Sequence, residues 1–253
     1  MPHNLIARSK QWLYRRLPRE RKPNFFILGA GKSGTTSMYY YLNQHPEIFF
    51  PTVKEPAYFA FSNFAGNHYH SEDQSWVNQC VTDPVEYQAL FKNVANEQII
   101  GDATPIYLYH PNSAEAIYRA CPNAKLLVIL RDPYDRAYSD YLMHVRDNNE
   151  KRTFLDALKQ DHGKYRFYVG SYLEKSLYGE QLQRYYNYFD REQLMIIPFA
   201  DLSKNSEKTV KSVIEFLEID ASFIPNCSDS YNQGASKSKQ APADAVNLSL
   251  IHI

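Results

Sequence analysis

One stretch, Asn24 to Pro46 (NFFILGAGKSGTTSMYYYLNQHP), restricts the fold of this chain more than any other. An apolar run, Phe25 to Leu28, stops at a loop holding Gly29, Gly31 and Gly34. Thr35 then opens a segment with helical character that ends at His45, before Pro46. Only nine glycines occur in 253 residues, and three of them fall within these six positions. A strand, a glycine loop and a helix in that order let backbone N–H groups surround an anion at the positive end of a helix. Lys32 adds a full charge there. The loop is not a Walker loop, G-x-x-x-x-G-K-[ST], although Gly29 and Gly34 have its spacing. Thr35 stands where the lysine belongs, and the lysine comes early, as Lys32. With Ser33, Thr35, Thr36 and Ser37 nearby and no acid directly ending the apolar run at residues 124–130, the loop suits an anion bound without Mg²⁺.

The other apolar runs extend the pattern. Ala124 to Leu130 (AKLLVIL) and Gln193 to Pro198 (QLMIIP) have the continuous apolarity of strands buried on both faces, and Gln98 to Gly101 is a shorter strand. Between and after them, helices are expected over residues 84–91, 111–121, 133–146, 176–189 and 206–217. Asp132 is the expected N-cap of the third, with Pro133 in its first turn. Phe49 to Phe61 (FFPTVKEPAYFAF) has the character of an ordered loop or short strand. Asn63 to Asp83 has no period and resembles a surface excursion. Helices alternating with apolar strands predict an α/β, P-loop-type three-layer fold: a central parallel sheet with helices on both faces. With no internal repeat or linker, one domain is expected over residues 24–247.

Composition closes off some functions. Net charge is zero, so attraction of the whole molecule to nucleic acid is not indicated, and anion recognition must be local. No stretch approaches the roughly 18 apolar residues of a membrane span, and no signal-peptide core is present. Three scattered cysteines, Cys80, Cys121 and Cys227, point away from a disulfide framework and towards a cytoplasmic location. The 21 tyrosines and 14 phenylalanines are mostly packing residues, with a few left to line an acceptor groove. Residues 1–23 form a basic arm, a solvated segment or one that touches a membrane surface. The last six residues, Leu248 to Ile253 (LSLIHI), match a translated transposon adapter. They are expected to be a foreign tail on a domain cut short near Asn247.

A second constellation is LLVILRDPYDRAYSDY. Arg131 ends an apolar strand, where ligands bind in open α/β sheets, and Ser139 follows eight residues later on the next helix. The two can converge on one phosphate. An ion pair of Arg131 with Asp135 is the structural alternative.

At this point the chain resembles the sulfotransferases that use 3′-phosphoadenosine 5′-phosphosulfate. Residues 27–37 resemble that family's 5′-phosphosulfate loop, and residues 125–141 its 3′-phosphate motif. GDATPIYLYHP at 101–111 and residues 178–202 resemble further family blocks. The likeness is nearest to the bacterial and carbohydrate-modifying branch, which includes the heparan-sulfate enzymes. It implies that Gly31, Lys32, Ser33, Gly34, Thr35, Thr36 and Ser37 hold the 5′-phosphosulfate, and that Arg131 and Ser139 hold the 3′-phosphate. Lys237 and Lys239, in NQGASKSK, would add contacts from a C-terminal loop. In VKEPAYF the residues alone favour an exposed Glu55 paired with Lys54, whereas the resemblance implies Glu55 as the base for the acceptor hydroxyl, with Lys54 helping to hold the donor or the leaving oxygen. Lys32 would meet the charge that develops on the leaving side, and no metal is implied. The chain departs from the heparan-type pattern at Ala103, where some members carry lysine, and at Ala57 and Tyr58, where a histidine is missing. The implied function is sulfuryl transfer to a hydroxyl of a sugar, glycolipid or small alcohol. A P-loop kinase of a small metabolite and an inactive nucleotide-binding module are the alternatives.

Overall fold

A computed structural model describes residues 22–62, 71–160 and 166–229. In chain order, β1 (Phe25–Gly29) runs into α1 (Thr35–Leu42), and β2 (Ile48–Phe49) precedes α2 (Tyr58–Phe61), α3 (Ser71–Val77) and α4 (Pro84–Ala89). β3 (Ile99–Ala103) leads to α5 (Ile106–Tyr109) and α6 (Ser113–Ala120). β4 (Lys125–Leu130) leads to α7 (Pro133–Arg146) and α8 (Phe154–Lys159). Last come α9 (Tyr178–Tyr186), β5 (Leu194–Pro198), α10 (Phe199–Lys204) and α11 (Ser206–Leu217).

The strands form one parallel sheet in the order β2-β3-β1-β4-β5. β1 is central, with Phe25 opposite both Gly101 and Lys125 and Ile27 opposite both Ala103 and Leu127. Because side chains alternate across a strand, each apolar run feeds two cores. Phe26, Leu28, Ile100, Leu126 and Val128 face a core shared with Phe59, Tyr107, Ile117 and Tyr185. Phe25, Ile27, Ile99, Leu127 and Ile129 face the other, shared with Met38, Leu42, Val210 and Ile214. A sheet that is apolar on both faces needs helices on both, which is the three-layer arrangement the sequence predicts. Each buried Leu, Ile or Phe contributes on the order of 1.5–3 kcal/mol.

The start of α7 follows its cap. Asp132 accepts from the N–H groups of Tyr134 and Asp135, each at 3.0 Å, while Pro133 has no N–H to leave unpaired.

Several expectations need correction. Residues 63–83 contain a helix, α3, whose Val77 is buried against the first core while most of its surface is polar. The segment Phe49 to Phe61 is the ordered loop expected, with Phe49 ending β2, but it closes in a helical turn, α2. The helix expected from 176 is a 3₁₀ turn, Glu174–Ser176, followed by α9. The basic arm up to residue 21, Lys237, Lys239 and the 248–253 tail lie outside the described residues. Among the described residues no helix is long and apolar enough to cross a membrane.

Candidate active site

The loop between β1 and α1 is shaped by three residues with positive φ: Gly29 at 151°, Lys32 at 68° and Gly34 at 83°. The left-handed φ favours glycine at Gly29 and Gly34, and at Gly29 the space does too. A Cβ on Gly29 would lie 2.8 Å from the Pro105 carbonyl oxygen, and one on Gly34 would lie 3.0 Å from the Phe199 ring. On Gly31 a Cβ would meet nothing within 4 Å, so the loop is open on that side. Met38 is the first residue of α1 whose amide bonds back, to the Gly34 carbonyl at 3.1 Å. The first turn of α1, Thr35 to Ser37, faces the loop, so the helix presents its positive end to it. Ser33 is fully buried, with its N–H donated to the Ala30 carbonyl at 3.2 Å, and Thr35 is buried as well.

The Lys32 ammonium lies 3.4 Å from Sδ of Met143 on α7. Burial holds its pKa below the usual 10.5. The cations of Arg146, Arg131 and Arg136 add to that depression, and Asp140 opposes it. An anion in the loop would relieve both burial and like-charge repulsion at this ammonium.

Arg131 leaves the end of β4 and donates to the Lys32 carbonyl at 3.3 Å, tying the two motifs together across 99 residues of sequence. Its guanidinium stacks over Phe199 with 5.1 Å to the ring centroid, and its own carbonyl accepts from the Tyr178 phenol at 3.0 Å. Phe199, the first residue after β5, thus packs against both Gly34 and Arg131. The expected structural alternative, an Arg131–Asp135 ion pair, is not formed among the described residues. Ser139 is half-buried on the second turn of α7. That helix is fixed by Arg136, which is fully buried and donates to Ser176 Oγ at 2.6 Å, to Asp140 at 3.3 Å and to the Tyr172 carbonyl.

The segment after β2 brings in the third constellation. Lys54 donates to Thr36 Oγ1 at 2.7 Å and pairs with Glu55 at 3.0 Å, so one ammonium joins the first turn of α1 to the Glu55 carboxylate. Glu55 keeps 43% of its side chain exposed, and both it and Ala57 lie in the left-handed region, at φ 56° and 57°. Beneath this segment, Asp102 at the end of β3 is fully buried. It accepts from Tyr87 at 2.7 Å, Tyr107 at 2.9 Å and Thr104 at 2.6 Å. Burial pushes its carboxyl from 3.8 to about 6, against the opposing pull of those three hydroxyls, and Glu55 adds repulsion.

Of the residues expected from sequence, the structure brings Lys32 and Arg131 into one hydrogen-bonded unit and Thr36 and Glu55 into another through Lys54. No hydrogen bond joins Arg131 to Ser139. Sequence reasoning missed Phe199, Tyr178, Arg136 and Asp102. Only Asp102 carried a local signal, a carboxylate directly following the apolar run of a buried strand. Among the described residues no group of three or more His, Cys, Asp or Glu is placed to hold a metal ion.

The comparisons with known proteins agree with this geometry. The described fold superposes on a sulfotransferase from Alicyclobacillus acidocaldarius with a TM-score of 0.80 and 32% identity, covering 91% of each chain. Human carbohydrate sulfotransferase 15 is 26% identical over 246 residues, 78% of this chain and 44% of that protein. The membrane-associated sulfotransferase kil1 of Dictyostelium discoideum is 25% identical over 278 residues, 78% of this chain and 56% of that protein. The chain thus spans about half the length of these two relatives. The model of the sulfotransferase family matches residues 23–223, which include the glycine loop, the Glu55 segment and the Arg131 helix. With that match and a loop, a cationic clamp and a carboxylate set around one strand edge, this chain is a member of the sulfotransferase family.

Proposed function

We propose that this protein moves a sulfuryl group from 3′-phosphoadenosine 5′-phosphosulfate to a hydroxyl of an acceptor, a sugar or a glycolipid. The observation that carries the proposal is the Thr36–Lys54–Glu55 bridge, which sets a carboxylate one ammonium away from the anion loop. The donor, when bound, supplies an activated sulfur on an oxygen of its 5′-phosphate. The α1 amides, Thr36, Ser37 and Lys32 would hold that end, and the open side of the loop at Gly31 leaves room for it. Arg131 and Ser139 would hold the 3′-phosphate. Glu55 would take the proton of the attacking hydroxyl, and Lys32 would meet the charge appearing on the bridging oxygen. As in phosphoryl transfer, catalysis here would be mostly positioning and charge stabilisation. The positive charge comes from Lys32, Lys54 and Arg131 in this reading, so no metal is called for. A sugar acceptor is supported by likeness to proteins named carbohydrate sulfotransferase and heparan sulfate N-deacetylase/N-sulfotransferase.

The test is a melting experiment followed by turnover. The product 3′-phosphoadenosine 5′-phosphate at about 100 times its Kd should stabilise the fold by about 2.7 kcal/mol in EDTA, and ATP should not. Labelled donor should then transfer to members of a sugar panel. Lys32→Ala should lower turnover by roughly 10²–10³, the usual loss for an electrostatic stabiliser of the transition state. Stabilisation by Mg²⁺–ATP alone would favour a kinase. Binding with no transfer to any acceptor would favour an inactive module.

A further inference from the structure

Asp102 is a fully buried carboxylate that no step of the proposed reaction uses. It accepts from the phenols of Tyr87 on α4 and Tyr107 on α5 and from the Thr104 hydroxyl, and the Cys121 thiol and the Glu55 carboxylate are near enough to interact with it electrostatically. No ion pair reaches it among the described residues. A charge in the core without a cation is costly, and two tyrosines and a threonine could be satisfied by a neutral amide instead.

What the two tyrosines touch gives the arrangement a purpose. Tyr58 stacks on Tyr87, with centroids 4.3 Å apart and planes at 16°. Phe59 packs edge-on against Tyr87 at 5.4 Å and Tyr107 at 5.9 Å, and its N–H points at the Tyr107 oxygen at 3.4 Å. Both phenols converge on a single oxygen, Oδ2 of Asp102. The platform under residues 58 and 59 is thus fixed by one carboxylate. Immediately before it, Glu55 and Ala57 hold left-handed backbone conformations that non-glycine residues keep only where their surroundings over-determine them.

We infer that Asp102 is a positioning residue for Glu55, acting through Tyr87 and Tyr107 to hold the strained 55–57 turn so that the carboxylate faces the anion loop. The inference rests on the reading of Glu55 as the base. It makes the carboxylate a part of the acceptor side of the site and leaves the donor side independent of it.

A double-mutant cycle tests this. Asp102→Ala removes the oxygen that both phenols bond, and Tyr107→Phe keeps the ring and removes one phenol. Each is made alone and with Glu55→Gln, and turnover, acceptor KM and binding of 3′-phosphoadenosine 5′-phosphate are measured. Asp102→Ala and Tyr107→Phe should each lower kcat by about tenfold or more, the usual effect of a small misplacement, with product binding within about twofold of the parent. In the Glu55→Gln background the same changes should cost less than about twofold, because the group they position is gone. Equal losses in both backgrounds, a matching loss of product binding, or failure of both variants to fold would overturn the inference while Glu55 stands as base. Full turnover in Glu55→Gln alone would overturn the base assignment and the inference together.

Discussion

Replacing Asp102 by Asn should make the protein more stable at neutral pH, and the size of the gain follows from the burial of the carboxylate. Its carboxyl titrates at about 6 in the folded chain against 3.8 for an ordinary aspartate, because burial outweighs the hydrogen bonds from Thr104, Tyr87 and Tyr107, and Glu55 adds repulsion. A folded-state value above the unfolded one means that the native state binds the proton more tightly. The stability this confers is fully present below pH 3.8 and is lost as pH rises through about 6. The rise from 3.8 to about 6 is worth about 3 kcal/mol. An asparagine carries no charge, its carbonyl can accept from both phenols, and its NH₂ can donate to Thr104 Oγ1. Asp102→Asn should therefore exceed the parent by up to about 3 kcal/mol at pH 7.5, or roughly 6–12 °C in Tm for a domain of this size. The advantage should shrink steadily towards pH 4, where the aspartate is itself neutral. Melting curves of both proteins in matched buffers from pH 4 to pH 8 would follow the difference. A variant destabilised by the same amount at every pH would refute the reasoning, since it would show that the charge is not what the core bears.

Two further substitutions separate binding from catalysis and from folding. Arg131→Ala removes the cation held over Phe199 and the hydrogen bond to the Lys32 carbonyl. It should weaken 3′-phosphoadenosine 5′-phosphate by tenfold or more in calorimetry, the loss of one charge-assisted contact of about 1.5–3 kcal/mol, with a smaller change in kcat at saturating donor. Gly34→Ala forces a Cβ to 3.0 Å from the Phe199 ring at a φ of 83°. It should lower stability by about 1–2 kcal/mol in urea from the left-handed conformation alone, and a variant as stable as the parent would show that the loop can change shape.

How much of this was legible in the chain depended on how local the cause was. The strand–loop–helix at Asn24 to Pro46, the strand at Ala124 to Leu130 and the capped start of α7 each follow from neighbours within a few residues, and each is found where expected. α3 was hidden because the apolar residues of its buried face are only Trp76 and Val77, at its very end, among polar residues, which leaves little period in a seven-residue helix. The Arg131 contact to the Lys32 carbonyl spans 99 residues and the Tyr185 phenol bonds to the Tyr107 carbonyl across 78, distances over which no local pattern exists. The left-handed turn at Glu55 was equally invisible, since glutamate gives no hint of positive φ. What the sequence could show was the kind of residue at each strand end. It could not show which of them would meet.

That they meet at all follows from the sheet being parallel. Every strand leaves the sheet at the same edge, so the residue that ends each apolar run is delivered to the same rim whatever its place in the chain. β1 delivers the glycine loop and Lys32, β4 delivers Arg131, and β5 delivers Phe199. β3 delivers Asp102, and β2 begins the segment that carries Lys54 and Glu55. The order β2-β3-β1-β4-β5 then assigns sides. The clamp on the loop comes from β4 and β5 on one flank of β1, while the Glu55 segment and its Asp102 platform come from β2 and β3 on the other. Lys54 is the contact that crosses between them, from the Glu55 segment to Thr36. Under the proposed function, that division would let the acceptor side change without disturbing the donor side. The positions where the sequence departs from its resemblance to the heparan-type enzymes, Ala57, Tyr58 and Ala103, lie on the β2–β3 flank.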